Sequence, residues 1–200
     1  ILNLLKKRIN LKNKKILEIG CFIGDLLFYL KKKYKCKVHG VEPSSLACKY
    51  AKKKFSINIE NSTFASSKFF SISLKNHKKF DLIIIDDVFS WIDRSLILQT
   101  VCVIDWILKD NGYIFIRDFS PKSSFAVKNR HSKKKKIYNF KLKDGHKNFF
   151  LKTGKYKILY NRKYFTKKFN KAISVNRQSN IWSDTIIKKI NKFTYPIKKL

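Results

Sequence analysis

Strand-like and helix-like segments alternate through the first 120 residues, and this alternation limits the folds available to the chain more than any other feature of the sequence. Apolar strand patterns occupy residues 15–19, 37–41, 56–59, 80–85 and 113–116. Apolar residues at helical spacing occupy residues 25–33, 44–55 and 96–108. Such alternation predicts an α/β fold in which helices cover both faces of a mostly parallel sheet.

The pattern loosens after residue 119. We expect a turn at 110–112, a long surface loop at 120–136, and strands at 137–142, 156–160 and 182–187, the last two as an antiparallel pair at the sheet edge. The prediction is therefore a Rossmann-like three-layer sandwich with a mostly parallel seven-stranded sheet and an antiparallel edge strand. No linker or repeat divides the sequence, so a single domain over residues 1–200 is expected.

The net charge of +33 would ordinarily indicate a polyanionic partner such as nucleic acid. Only 6 of the 46 basic residues are Arg, however, and Ile, Asn, Phe and Tyr are abundant. This bias is typical of A/T-rich codons, whereas nucleic-acid surfaces favour the bidentate fork of Arg. Nucleic acid is therefore not the favoured partner. The lysine run at 133–136 is interpreted as a solvated surface, with an acidic substrate as the alternative.

The four cysteines form no C-x-x-C pair, and no histidine stands at a spacing suited to zinc. We therefore expect no metal site and no disulfide framework, and we predict a reducing, cytoplasmic location. No apolar segment reaches the roughly 18 residues of a membrane span. Because the sequence contains no Met, an N-terminally truncated chain is one expectation.

A short glycine motif joins the strand at 15–19 to the helix that follows. The sequence Leu17-Glu18-Ile19-Gly20-Cys21-Phe22-Ile23-Gly24 has glycines where the backbone can approach a ligand and where the helix begins. A tight turn with good helix packing would explain the same glycines. Phe22 occupies the central glycine position, which NAD needs for its pyrophosphate, so the motif disfavours NAD.

Glu42 ends the next strand, eighteen residues after Gly24. Pro43 stops the strand there, because proline disfavours helix in the residue before it. An acidic side chain at this position can accept hydrogen bonds from both hydroxyls of a ribose. Gly20, Gly24 and Glu42 together predict an adenosine-type ligand at the carboxyl ends of the first two strands.

These motifs resemble those of class I S-adenosylmethionine-dependent methyltransferases of the small-molecule type. The resemblance covers residues 15–118 and rests on Ile16-Leu17-Glu18-Ile19-Gly20-Cys21 with Gly24, Val41-Glu42-Pro43, Phe80-Asp81-Leu82-Ile83-Ile84 and Leu108-Lys109-Asp110-Asn111-Gly112-Tyr113. It implies S-adenosylmethionine as the cofactor, with Glu18, Gly20 and Gly24 framing its methionine end and Glu42 holding its ribose. The family usually has an acid near the adenine amine, where this chain reads Asn61-Ser62-Thr63-Phe64.

Further residues complete the predicted sites. The other expected cofactor-binding residues are Cys21, Phe22, Pro43, Ser62, Thr63, Phe64 and Asp86. If the acceptor is a hydroxyl, a base must take its proton, and the candidates are Asp87, Asp118 and His131. Phe89, Trp91 and Ile92 either line an acceptor pocket or pack under the next helix.

The favoured function is methyl transfer to a small-molecule, lipid-linked or saccharide acceptor. One alternative is an RNA methyltransferase that uses the basic surface, although residues 85–88 read Ile-Asp-Asp-Val and not an N-P-P-Y-type motif. The other alternative is a non-catalytic binding protein with the same fold. Failure to bind the methyl donor would favour that second alternative.

Overall fold

The computed structural model describes residues 1–68, 79–128, 138–165 and 181–190. These residues belong to two compact units. The first unit contains Ile1–Asp86 and Cys102–Lys109, and the second unit contains Asp87–Val101 and Asp110–Leu200.

Four parallel strands form the sheet of the first unit. They are β1 (Lys15–Ile19), β2 (Lys37–Val41), β3 (Ile59–Glu60) and β4 (Phe80–Asp86), in the spatial order β3-β2-β1-β4. Four of the five residues of β1 are buried, as are five of the seven residues of β4. Burial on both faces explains why these strands read as nearly continuous apolar runs. Because the four strands are parallel, their carboxyl ends meet at one edge of the sheet.

Helices α1 (Leu2–Arg8), α2 (Asp25–Tyr34) and α3 (Ser45–Phe55) belong to the same unit. The Ser44 side chain caps α3 by accepting a hydrogen bond from the amide of Ala47 at 3.3 Å. Three lysines occupy the last turn of α2 and three occupy that of α3, where positive charge is favourable. Leu27 and Leu30 bury the inner face of α2.

The second unit holds most of β5 (Leu108–Phe119) together with β6 (Phe125–Lys128), β7 (Tyr138–Lys141), β8 (Tyr156–Phe165) and β9 (Ile181–Lys189). Strand β9 is antiparallel to both β5 and β8. Helix α4 (Ile97–Ile107) lies in part in each unit, and α5 (Lys147–Leu151) lies in the second. The strand order of the main sheet is β3-β2-β1-β4-β5-β9-β8, which confirms the predicted Rossmann-like fold.

Three local predictions are corrected by the structure. Strand β3 starts at Ile59 and not at residue 56, because Ser56 has a left-handed backbone that ends α3. The turn expected at 110–112 lies inside β5, where Asn111 has a φ of 60° without ending the strand. The loop expected at 120–136 contains β6, which pairs with β7. His131 and residues 133–136 lie outside the described residues.

Among the described residues, no helix has both the length and the apolar character needed to cross a membrane.

Candidate functional site

The loop between β1 and α2 has a left-handed backbone at three residues. Gly20, Phe22 and Gly24 have φ angles of 71°, 48° and 71°. A side chain at Gly24 would place its Cβ 2.9 Å from Cδ1 of Ile59, so both the φ angle and the packing require glycine there. Phe22 adopts the same region with its side chain 64% exposed. The loop is thus held in a tight turn that opens onto the first turn of α2.

Glu42 fixes this loop to the end of β2. Its Oε2 accepts a hydrogen bond from the amide of Phe22 at 2.9 Å, and its Oε1 accepts one from the amide of Ser44 at 2.9 Å. A carboxylate has about four acceptor positions, so two remain after these bonds. The Glu42 side chain is buried and oriented by two backbone groups, which leaves it ready to accept from a ligand hydroxyl.

Cys21 packs under the loop against Gly40 of β2. A Cβ on Gly40 would lie 2.6 Å from Sγ of Cys21 and 2.9 Å from Cδ1 of Leu27, so no side chain fits at residue 40. Burial, with smaller contributions from the charges of Glu18 and Glu42, raises the pKa of the Cys21 thiol well above its usual range. Cys21 is therefore a protonated packing residue under the loop.

Glu18 presents a buried carboxylate near the carboxyl end of β1. Its side chain is 6% exposed, and its Oε2 has no hydrogen-bond partner among the described residues. Burial raises the pKa of Glu18 well above its ordinary value, and the charges of Asp86 and Asp25 raise it further. A buried acceptor of this kind needs a donor or a positive charge, so a cationic ligand group would complete it.

The segment after β3 is tied to the end of β2 by Asn61, whose Nδ2 donates to the carbonyls of Glu42 at 3.1 Å and Pro43 at 3.0 Å. Thr63 caps a short 3-10 helix at Phe64–Ser66 by accepting from the Ser66 amide. Phe64 is buried. The bonds of Asn61 therefore hold the start of this segment beside Glu42.

Glu60 is a candidate site residue that the sequence analysis did not name. It ends β3, its Oε1 accepts from the backbone amide of Lys68 at 2.7 Å, and its Oε2 lies 3.7 Å from Nζ of Lys68. The signal was its position at the end of a predicted strand, but that strand was expected to end at residue 59. Glu60 places an acid next to the segment in which the resemblance implied one.

Asp86 and Asp87 fall in different units although they are adjacent in the chain. Asp86 ends β4, and its charge contributes to the raised pKa of Glu18. Asp87 has a φ of 54°, its amide donates to the carbonyl of Arg117 at 2.8 Å, and its Oδ1 accepts from Nε1 of Trp91 at 3.1 Å. The indole contact orients the Asp87 carboxylate.

Asp118 lies in a buried network of the second unit. The side chain is 1% exposed and accepts from the Ser90 hydroxyl, from the Ser90 amide at 3.0 Å and from the Phe119 amide at 2.7 Å. Nδ1 of His146 lies 3.6 Å from its Oδ2. These contacts give Asp118 a role in holding the segment after β4 in place.

His146 is buried, and sequence reasoning did not single it out. Its ring stacks on Phe89 with a centroid distance of 5.2 Å and an angle of 13°. Burial lowers the pKa of His146, although the charge of Asp118 opposes this effect. No sequence motif marked this residue, because its partners come from other parts of the second unit.

The structure brings the predicted cofactor-binding residues of the first unit together. Glu18, the loop with Gly20, Cys21, Phe22 and Gly24, Glu42 with Pro43, and Asp86 all stand at or next to the carboxyl ends of β1, β2 and β4. Asp87 and Asp118 lie in the second unit. Within the described ranges, no cluster of His, Cys, Asp and Glu could hold a metal ion.

Comparison with known protein families shows the family to which this chain belongs. The model of a family described as "Methyltransferase domain" matches residues 10–182, which is more than half of the chain. Comparison with curated protein sequences gives no match.

Solved structures with the same fold include three methyltransferases. An S-adenosylmethionine-dependent methyltransferase from Methanosarcina mazei has a TM-score of 0.68 and 16% identity, covering 94% of this chain and 98% of its own. One from Mesorhizobium loti has a TM-score of 0.63 and 11% identity, with coverages of 94% and 96%. The 1,6-didemethyltoxoflavin-N1-methyltransferase of Burkholderia thailandensis has a TM-score of 0.63 and 10% identity, with coverages of 90% and 72%. The family match identifies the chain as a member of the methyltransferase-domain family, and the three solved structures share its fold.

Proposed function

We propose that this methyltransferase binds S-adenosylmethionine in the first unit and acts on a small-molecule, lipid-linked or saccharide acceptor. The observation that carries the donor assignment is the pair of buried carboxylates at the ends of neighbouring strands. Glu18 has an unpartnered oxygen, and Glu42 keeps acceptor positions beyond its two backbone bonds. These are the acceptors that an ammonium group and a ribose require.

The residues of the first unit fit the donor group by group. Glu18 would accept from the ammonium of the methionine end, and Glu42 would accept from the ribose hydroxyls. Gly20 and Gly24 would let the loop backbone approach the ligand closely. Cys21 and Phe22 would contribute their backbone to the same loop, and Asp86 would add negative charge near the methionine end.

The adenine end is assigned to the segment after β3. Pro43 and Phe64 would supply apolar contact, and Ser62 and Thr63 would supply hydroxyl and backbone groups. Glu60, one residue before Asn61, would provide the acid that this family usually has near the adenine amine. The amide of Lys68 donates a hydrogen bond to Oε1 of Glu60 and holds it in place, and the contribution of Glu60 to adenine binding depends on this bond.

Bound S-adenosylmethionine supplies an electrophilic methyl group on a sulfonium. Methyl transfer from it depends mainly on alignment of the acceptor, so few protein groups need to do chemistry. Asp87 is the base we favour, because its carboxylate is oriented by the Trp91 indole. Asp118 has its carboxylate engaged by three donors, and His131 lies outside the described residues.

Two observations support an acceptor that is not a nucleic acid. The segment after Ile85 is the acidic pair Asp86-Asp87, which would repel a phosphate backbone. The Burkholderia thailandensis enzyme with the same fold was solved with bound 1,6-didemethyltoxoflavin and S-adenosylhomocysteine, and 1,6-didemethyltoxoflavin is a small molecule.

Calorimetric titration with S-adenosylmethionine and S-adenosylhomocysteine tests the donor site. We expect saturable binding of both, weakened about tenfold to a hundredfold in Glu42→Ala, because two ribose bonds to a charged acceptor are lost. Asp93→Ala is the matched control, since Asp93 is an exposed acid in the second unit that bonds only locally to Ser95. Unchanged affinity in Glu42→Ala would refute the ribose assignment.

RNA methyl transfer is the second candidate, and one feature of the first unit favours it. A cavity of about 360 Å³ is lined by four lysines and contains no acidic residue in its lining; the lysines are Lys6, Lys12, Lys33 and Lys35. A labelled-methyl assay on total RNA and on a metabolite extract separates the two candidates. An RNA substrate should also show an affinity that falls steeply with salt, because lysine contacts release counterions from phosphates.

A further inference from the structure

The 360 Å³ cavity of the first unit lies between the segment that precedes β1 and the segment that precedes β2. We name it the lysine cavity. Its lining comes from Lys6 of α1, from residues 9–12 and from residues 33–35. The cavity thus lies at the amino ends of β1 and β2, whereas Glu18 and Glu42 lie at the carboxyl ends. Strand β1 has five residues and rises about 3.3 Å per residue, so roughly 15 Å separates this cavity from the donor site.

Hydrogen bonds between the two segments fix the walls of the lysine cavity. The amide of Asn13 donates to the carbonyl of Tyr34 at 2.9 Å, and Sγ of Cys36 donates to the carbonyl of Leu11 at 3.1 Å. Ile9 and Leu11, which contribute apolar surface to the lining, are 5% and 2% exposed. The walls therefore belong to the packed fold of the first unit, and the cavity exists before any ligand binds.

Four ammonium groups surround this cavity, and no acidic residue lines it. Among the described residues, no carboxylate pairs with Lys6, Lys12 or Lys35. Nζ of Lys33 lies 5.3 Å from the centroid of the Tyr29 ring, and a hydrogen bond with Tyr29 raises the pKa of Lys33, so its charge is retained. Four like charges around one cavity repel each other, and a bound anion relieves that repulsion.

Asp81 is an acid at the same edge of the sheet, near the start of β4. Its Oδ2 accepts a hydrogen bond from the amide of Lys15 at 2.8 Å, and its Oδ1 accepts one from Nζ of Lys109 at 3.0 Å. Asp81 does not line the lysine cavity. Its charge is therefore balanced by partners outside the lining, and the lysines of the cavity are left for a ligand.

The lysines reach the cavity from three separate segments. Lys35 ends α2 with a left-handed backbone at a φ of 53°, a position that glycine or asparagine usually occupies. The dipole of α2 favours positive charge at this end, but it does not account for Lys6 and Lys12, which belong to α1 and to the loop before β1. Convergence of these residues on one cavity therefore needs a reason beyond the stability of α2.

We propose that the lysine cavity binds a small ligand with two or more linked phosphates, either an inorganic polyphosphate or the phosphate chain of a nucleotide. One phosphate carries about two negative charges at neutral pH, so four ammonium groups match more than one phosphate. A volume of 360 Å³ is within the range of small-molecule sites. Oδ1 of Asn10 accepts from the amide of Lys12 at 3.1 Å, which leaves its Nδ2 to donate to a phosphate oxygen. The inference does not depend on the donor assignment, because the two sites lie at opposite ends of β1.

Calorimetric titration of the full chain at constant ionic strength tests this site, with inorganic triphosphate and orthophosphate as the probes. We expect triphosphate to bind with one-to-one stoichiometry and at least about tenfold more tightly than orthophosphate, because it reaches more of the ammonium groups. Excess S-adenosylhomocysteine should leave the triphosphate affinity unchanged. Equal affinity for the two anions, or displacement of triphosphate by S-adenosylhomocysteine, would overturn the inference.

Adenosine triphosphate distinguishes the two sources of linked phosphates. Its titration includes excess S-adenosylhomocysteine, so that the adenosine group does not occupy the donor site. An affinity higher than that of inorganic triphosphate assigns the cavity to a nucleotide, and an equal or lower affinity assigns it to inorganic polyphosphate.

Substitutions separate this cavity from the rest of the surface, since a net charge of +33 attracts polyanions to many places. Lys12→Met and Lys35→Gly should each weaken triphosphate binding about threefold to tenfold, because each lysine is exposed and its charge is partly screened. Lys53→Met is the matched control, since it removes the same charge from an exposed residue of α3 outside the lining. Equal losses in Lys53→Met and Lys12→Met would overturn the inference.

Lys35→Gly also tests binding without loss of the fold. Glycine suits the left-handed end of a helix, so the thermal midpoint should be unchanged or higher. Ser56→Gly makes the same backbone change at the end of α3, where φ is 51°, and should leave triphosphate affinity unaltered. If Ser56→Gly weakened binding as much as Lys35→Gly, the loss would come from the backbone, and the role of the Lys35 charge would be refuted.

A short single-stranded RNA separates this inference from RNA methyl transfer. RNA contacts spread over a basic surface, so Lys12→Met and Lys35→Gly should leave its affinity nearly unchanged. Losses of RNA affinity as large as those for triphosphate would assign these lysines to nucleic acid and overturn the small-ligand site.

Discussion

The backbone amide of Phe22 donates to the carboxylate of Glu42 across a distance of 2.9 Å, so the loop after β1 and the end of β2 are joined by a charge-assisted hydrogen bond. The Phe22 bond comes from the main chain and does not depend on the ring. The ring itself is 64% exposed and sits on a backbone with a φ of 48°. Phe22 therefore contributes its amide to the site and gains little from packing.

Substitution of Phe22 and of Gly24, two of the three left-handed residues in this loop, should have opposite effects. Phe22→Gly should leave the free energy of unfolding unchanged or raise it by up to about 1 kcal/mol, because relief of the left-handed strain offsets the entropy of glycine. Gly24→Ala should lower it by about 1 to 2 kcal/mol, because its Cβ would lie 2.9 Å from Ile59. Urea denaturation measures both. A larger loss in Phe22→Gly than in Gly24→Ala would contradict this account.

The raised pKa of Glu18 should make donor binding depend on pH. Burial favours the neutral carboxyl in the ligand-free protein, whereas an ammonium partner favours the carboxylate, so binding should release protons. We expect affinity for S-adenosylmethionine to rise with pH above 4.5, the ordinary pKa of Glu18, as long as the α-amino group of the ligand stays protonated. Calorimetry in buffers of different ionisation enthalpy measures the protons released.

Glu18→Gln should remove this pH dependence and weaken donor binding by about tenfold to a hundredfold. Asp93→Asn is the control, because that exposed acid should alter neither quantity. Persistence of the pH dependence in Glu18→Gln would assign it to another group.

The same raised pKa has a consequence for stability. The folded state holds a proton on Glu18 at pH values where the unfolded state has released it. Its contribution to the free energy of unfolding is therefore fully present below about pH 4.5 and declines as pH rises toward the folded pKa. In Glu18→Gln this decline should be absent, which denaturation at several pH values would detect.

Asp87→Asn tests the proposed base. Asn tolerates a left-handed backbone and can still accept from the Trp91 indole, so the fold and the orientation should be preserved. We expect kcat to fall by about a hundredfold or more with little change in donor affinity, because general-base catalysis contributes about that factor. Asp110→Asn, an exposed acid of β5, should leave kcat unchanged. An unaltered kcat in Asp87→Asn would show that Asp87 takes no proton.

Ser90, in the 3-10 helix Phe89–Trp91, forms buried hydrogen bonds, whereas Ser95, in the 3-10 helix Arg94–Leu96, forms exposed ones. Ser90→Ala removes a buried hydroxyl from Asp118, and we expect a loss of about 1 to 3 kcal/mol in unfolding free energy. Ser95→Ala removes a hydroxyl from exposed Asp93, and we expect a change within about 0.5 kcal/mol. Similar losses in both variants would mean that the Asp118 network does not stabilise the second unit.

Local sequence patterns predicted the first unit well. The bounds of β1 and β2 agree with the prediction at both ends, because a buried strand and the residues that stop it are adjacent in sequence. Pro43 after Glu42 and glycines after Ile19 are such stops. The same reasoning brought the carboxyl ends of β1 and β2 together, and with them the predicted positions of Glu18 and Glu42.

Features that depend on distant residues were not predictable. Asn111 and Gly112 form a turn in many sequences, yet here pairing of Tyr113 with Lys188 and the residues that follow extends a long strand. Ser90 and Asp118 are 28 residues apart, and His146 another 28, with no periodic pattern linking them. Glu60 was missed for a smaller reason, since a two-residue strand leaves almost no pattern in the sequence.

The contact between Gly40 and Cys21 constrains the order in which residues 21 and 40 can be substituted. With Sγ of Cys21 only 2.6 Å from the Cβ that residue 40 lacks, Gly40→Ala on its own would push the donor loop outward. The same substitution should be less destabilising after Cys21→Gly has vacated that volume, because only the contacts with Leu27 and Ile59 then remain. Of the two possible orders of replacement, the one that begins with Cys21→Gly should therefore disturb the donor loop less.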